Sequence, residues 1–135
     1  MKTILLIDEE REGSFLVDVL NRFGYEVIAR QDGPSALSVL REGAQVDLVI
    51  TDYRLKGMDG LELLALLKTC APSVPSIMLT ADGNIETYLK ALSLGVFEYI
   101  NKPVKVKEIG RIVKAALEKT PMFESTDSAP LRETA

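Results

Sequence analysis

An α/β fold, with a doubly wound parallel sheet of five strands and helices on both faces, is predicted by two observations. Five short apolar runs recur along the chain, each ending abruptly at a polar residue, and amphipathic stretches at helical spacing separate them. Strands that alternate in this way with helices pair in parallel, because every helix carries the chain back to the edge from which the next strand starts.

The elements follow in order. Thr3 to Ile7 is a continuous apolar run, as suits a strand buried on both faces, and Asp8, Glu9 and Glu10 end it. Phe15, Leu16, Val19, Leu20 and Phe23 then recur at helical spacing, with Gly24 as the stop. Tyr25 to Ala29 reads as the second strand. Gly33-Pro34 opens a helix bearing Ala36, Leu37 and Leu40, proline being suited to a first turn. Val46 to Thr51 is the third strand, ending at Asp52. A loop with Gly57 and Gly60 leads into a helix with Leu61, Leu64 and Leu67, and Pro72 and Pro75 bracket the next turn. Ser76 to Thr80 is the fourth strand. Asp82-Gly83-Asn84 starts a helix bearing Ile85, Tyr88, Leu89 and Leu92, which Gly95 ends. Phe97 to Ile100 is the fifth strand, closed by Asn101-Lys102-Pro103, and Val104 to Lys119 is a last amphipathic helix. One domain over 1–119 is therefore expected, followed by a polar tail or linker at 120–135, whose Met122 and Phe123 are candidates to pin it to the domain.

Composition narrows the function. The 135 residues suit one domain, and an apolar content of 47% is enough for a core without disulfides or a structural metal. The net charge of −4 argues against a nucleic-acid surface. The chain has no histidine, which excludes Ser-His-Asp and Cys-His catalysis and leaves carboxylates, hydroxyls and lysines. The lone Cys70 reads as a small core or boundary residue. No apolar run approaches the roughly 20 residues of a membrane span, and a soluble, cytoplasmic protein is expected.

Ligands of an open α/β sheet bind beyond the carboxyl ends of its strands. The polar residues at those ends are Asp8 and Glu9, Asp52, Thr80 and Lys102. Taken singly, each is no more than a loop residue facing water. Together, three carboxylates converging on one crevice need a cation, and an oxygen-rich site of this kind suits Mg²⁺.

The strings LLIDEE, VITDYRLKGMDGLELL, IMLTAD and YINKPV, in this order and spacing, resemble the receiver domains of two-component response regulators over residues 3 to about 119. The resemblance implies the flavodoxin-like strand order 2-1-3-4-5. It implies that Asp52 is a phosphoacceptor attacking a phosphohistidine or a small phosphodonor. Mg²⁺ would be bound by Glu9 and Asp52, by Asp8 mainly through water, and by the backbone carbonyl of Arg54. Lys102 would pair with phosphoryl oxygens, Pro103 would occupy a cis-proline position that holds that lysine inward, and Thr80 would donate its hydroxyl to the phosphoryl group. Thr80 and Tyr99 resemble the family's switch pair, remodelling the face of helix four, strand five and helix five. The implied partners are a sensor histidine kinase or phosphotransfer protein and, through that face, a second copy. Lys90, Lys105 and Arg111 are candidate contacts there; the alternative for them is a solvated face.

Two residues depart from the family pattern. Glu9 stands where aspartate is more frequent, which bears on metal geometry, and Lys56 stands where proline is frequent in the loop after Asp52. Arg54 and Asp82 each lie two residues past a site residue; a pair between them would hinder attacking water, the alternative being two solvated side chains. A Mg²⁺-dependent aspartyl-phosphate phosphatase is the rival enzyme, but it needs an Asp-x-Asp pair after the first strand, where this chain has Asp8-Glu9-Glu10. A flavodoxin-like binding module would need a Ser/Thr/Gly-rich phosphate loop at the same place. A phosphorylation-incompetent pseudo-receiver is a third alternative, against which the set Asp52, Thr80 and Lys102 argues.

Overall fold

The structure is a computed structural model that describes residues 1–8, 12–81 and 83–118, with only the backbone of 12–14. It contains β1 (Thr3–Ile7), α1 (Glu12–Arg22), β2 (Glu26–Arg30), α2 (Gly33–Arg41), β3 (Leu48–Asp52), α3 (Gly60–Cys70), β4 (Ser76–Thr80), α4 (Ile85–Ser93), β5 (Glu98–Asn101) and α5 (Val106–Glu118). The strands form one parallel sheet in the order β2-β1-β3-β4-β5.

The sheet divides the core in two. Side chains alternate across a strand, so Ile4 and Leu6 of β1 pack on one face with Leu16, Leu20, Ile109 and Val113 of α1 and α5. Leu5 and Ile7 pack on the other with Leu37, Leu63, Leu64 and Ala91 of α2, α3 and α4. All five residues of β3 are buried, as expected of the central strand of a sheet covered on both sides.

Several element ends differ from expectation. β2, β3 and β5 each run one residue further, into Arg30, Asp52 and Asn101, because ladder pairing with a neighbouring strand outlasts the apolar run. Asp52 is thus the last residue of β3, in register with Leu79. α4 begins at Ile85, with Asn84 as its cap: the Asn84 side chain accepts from the Thr87 backbone N–H at 2.9 Å. α5 begins at Val106, two residues later than its apolar pattern. Cys70 is exposed at the last position of α3 and is no part of the core. The boundary expected at 119/120 and the tail fall outside the described residues.

Helical spacing identified the helices better than their buried faces. Phe15 and Phe23 of the α1 region are exposed, and so are Ile85, Tyr88, Leu89 and Leu92 of α4. α4 buries Thr87 and Ala91 instead, small residues that let the helix lie close to the sheet. Among the described residues no helix is long and apolar enough to cross a membrane.

Candidate functional site

The carboxyl ends of β1, β3, β4 and β5 are held by hydrogen bonds that extend the ladders into the loops. The Asp8 N–H donates to the Arg30 carbonyl at 3.0 Å, and the Tyr53 N–H to the Leu79 carbonyl at 2.8 Å. The Lys102 N–H donates to the Thr80 carbonyl, also at 2.8 Å. Each polar side chain of the crevice is therefore mounted on, or next to, backbone that the sheet has already fixed.

Three of those side chains meet. Lys102 Nζ lies 3.0 Å from Asp52 Oδ2 and 3.6 Å from Asp8 Oδ2. Asp8 and Asp52 are 5% and 4% exposed, so two carboxylates and one ammonium share a buried place where water cannot dilute their charges. The Lys102–Pro103 peptide bond is cis, as the family resemblance implied. Thr80, fully buried, ends β4 beside Asn101 of β5.

The loop after Asp52 is anchored at its far end by α3. Asp59 Oδ1 accepts from the Glu62 N–H at 2.9 Å and Glu62 Oε1 accepts from the Asp59 N–H at 3.0 Å, a reciprocal cap at the start of that helix. Gly60 then packs directly beneath Asp52. Its N–H donates to the Tyr53 carbonyl at 2.6 Å, and a Cβ at Gly60 would sit 2.6 Å from the Asp52 carbonyl oxygen. Only glycine fits there. Arg54 lies exposed in the same loop.

Tyr99 reaches the site from β5. Its hydroxyl is buried, and its ring meets Tyr88 of α4 edge to face, with centroids 5.4 Å apart. Burial raises the phenol pKa above its usual value, opposed by the nearby Thr80 side chain and the Asn84 backbone. Sequence reasoning missed Gly83: a Cβ there would sit 2.5 Å from Asn101 Oδ1, 3.0 Å from the Tyr99 hydroxyl and 3.1 Å from Thr80 Cγ2. In the sequence it reads only as a residue of the helix start; a close approach of this kind leaves no mark on local sequence pattern.

The structure thus brings Asp8, Asp52 and Lys102 together and sets Thr80, Tyr99 and Gly83 beside one another. Glu9 and Asp82 lie outside the described residues, so the expected Glu9 ligand and the Arg54–Asp82 pair do too. Among the described residues no group of three or more His, Cys, Asp or Glu stands close enough to hold a metal. The donor set nonetheless suits Mg²⁺, which takes one or two carboxylates and fills its other positions with water or carbonyl oxygen.

Residues 4–114 match the family model of the response regulator receiver domain. The chain belongs to that family. Receiver domains are signalling domains of two-component systems, and relatives of this one include transcriptional regulators. The chain is 34% identical over 132 residues to the transcriptional regulatory protein ZraR of Klebsiella oxytoca, covering 97% of this chain and 29% of ZraR. It is 36% identical over 118 residues to the nitrogen assimilation regulatory protein NtrX of Azorhizobium caulinodans, covering 85% of this chain and 26% of NtrX. This chain therefore spans less than a third of the curated relatives it matches. Among solved structures, the receiver domain of NtrX from Brucella abortus superimposes with a TM-score of 0.80 at 33% identity, covering 87% of this chain and 99% of that one. A receiver domain protein from Clostridium thermocellum superimposes at 0.83 with 27% identity, covering 88% and 96%.

Proposed function

We propose that this receiver domain accepts a phosphoryl group on Asp52 from a sensor histidine kinase or phosphotransfer protein. The observation that carries the reading is the meeting of Lys102 with Asp52 and Asp8 at the carboxyl edge of the sheet. An Asp52 oxygen attacks phosphorus, the bond from phosphorus to the donor nitrogen breaks, and the donor imidazole leaves with that electron pair. Lys102, already 3.0 Å from the nucleophile, pairs with a phosphoryl oxygen as charge arrives. Asp8, Asp52, Glu9 and the Arg54 carbonyl would hold Mg²⁺, which when bound offsets the repulsion between carboxylates and phosphoryl oxygens.

Thr80 and Tyr99 convert the modification into a shape. A phosphoryl group adds about −1.5 to −2 charge and three strong acceptors, and the Thr80 hydroxyl turns to donate to it. As Thr80 moves, the Tyr99 ring turns into the space it leaves, a reading supported by the burial of the Tyr99 hydroxyl near Thr80. The affected face of α4, β5 and α5 carries exposed Ile85 and Leu89 and is the proposed contact for a partner, an output domain or a second copy. The domain works in the cytoplasm, without direct nucleic-acid contact in view of its net charge of −4. A pair between Arg54 and Asp82 would shield the acyl phosphate from water; alanine at both positions would then speed dephosphorylation, and an unchanged rate overturns the pairing.

Borohydride reduction tests the phosphoacceptor directly, because it converts an aspartyl phosphate to homoserine. Homoserine at position 52 after treatment with a phosphodonor supports the proposal. Homoserine at any other position overturns it.

A further inference from the structure

At the opposite end of the sheet from Asp52, a groove of about 630 Å³ opens between the end of α3, the end of α4 and the starts of β4 and β5. Leu67, Val74, Leu92, Val96 and Ala116 line it, with Lys68 on its wall. A Cβ at Gly95 would lie 2.6 Å from Lys68 Nζ, so the lysine leans across to the carboxyl end of α4. Among the described residues the Lys68 side chain makes no hydrogen bond or ion pair.

We propose that this groove is the docking site for Met122, Phe123 and Glu124 of the same chain. α5 ends at Glu118, and Ala116, two residues earlier, lines the groove. Pro121 has no N–H with which to carry the helix onward. From Glu118, the five residues to Phe123 span at most about 18 Å when extended. Met122 and Phe123 are the only adjacent pair of large apolar residues in 119–135, and Glu124 follows them with the charge Lys68 lacks. Docking there fixes the direction in which the chain continues. It also places the segment beside Tyr88, which lines the groove and touches Tyr99.

NMR of the full chain at low concentration provides the test. The result expected is cross-relaxation from the Phe123 ring to the Leu67 and Val96 methyls. Phe123→Ser shifts those methyls and leaves Leu5 and Ile50 in place. Lys68→Glu weakens the contact, and Lys68→Glu with Glu124→Lys restores it. Absence of the ring-to-methyl contacts, with groove methyls unmoved by Phe123→Ser, overturns the proposal. So do contacts found only between differently labelled copies, which would make the occupant a second molecule. None of these readouts depends on Asp52 phosphorylation, so this proposal and the phosphoacceptor reading fail separately.

Discussion

The Lys102 ammonium lies 3.0 Å from Asp52 Oδ2, with Asp8 Oδ2 a further neighbour at 3.6 Å. One cation thus stands between two carboxylates that are each at least 95% buried. Removing a partner from a buried ion pair costs more than the pair contributes, because the remaining charge keeps its desolvation cost. Lys102→Met therefore lowers unfolding stability at neutral pH by about 3 kcal/mol. Adding Asp8→Asn recovers much of the loss. Urea titration of both variants measures it, and a loss under about 1 kcal/mol would place the lysine outside any buried network.

The same crowding of negative charge predicts stabilisation by Mg²⁺. At a concentration tenfold above the dissociation constant, linkage gives about 1.4 kcal/mol. The thermal midpoint rises with added Mg²⁺ at constant ionic strength, and the rise disappears in Asp52→Asn. An equal rise in both proteins would mean the ion acts elsewhere.

Gly83 has no room for a side chain against Tyr99, Asn101 and Thr80. Asn101 is exposed and can swing aside, but the Tyr99 hydroxyl is buried, so Gly83→Ala pushes the ring outward. The cost is about 1–3 kcal/mol, as for other overpacked sites. Ring-current shifts at Tyr88, whose ring is 5.4 Å from that of Tyr99, report the displacement. Unchanged Tyr88 shifts would contradict it.

Glu98 gives a prediction in pH. Burial raises its pKa above the ordinary value of 4.5, Arg111 lowers it, and Glu108 raises it further. An acid whose folded pKa is raised binds its proton more tightly in the folded state. Its burden on stability is absent below pH 4.5 and grows as pH rises from there through the raised folded value. Glu98→Gln thus raises the melting temperature at pH 7 by a few degrees at most, and the gain vanishes by about pH 4. A gain independent of pH would assign the effect to something other than ionisation.

The strand ends were legible because an apolar run stops at a charged residue just where buried backbone meets the crevice. Ile7 to Asp8 is such a boundary, and Thr51 to Asp52 differs only in that the ladder carries on to the acid itself. The residues that meet at the site, Asp8, Asp52 and Lys102, could be listed from those boundaries alone. The buried face of α4 could not. Ile85, Tyr88, Leu89 and Leu92 repeat with the period of a core-facing helix, yet all four are exposed and the packing falls to Thr87 and Ala91. Periodicity records that a helix has an apolar stripe, not whether the sheet or a partner covers it. Gly83 and Gly60 were likewise opaque, since their need for glycine arises from side chains and backbone distant in sequence.

The measurement that bears most directly on the account is intact mass after incubation with acetyl phosphate and Mg²⁺. Wild type gains one phosphoryl group, and the gain is lost in Asp52→Asn and in the presence of a chelator. A gain that survives in Asp52→Asn, or no gain at any Mg²⁺ concentration, contradicts the claim that Asp52 is the phosphoacceptor of a working switch.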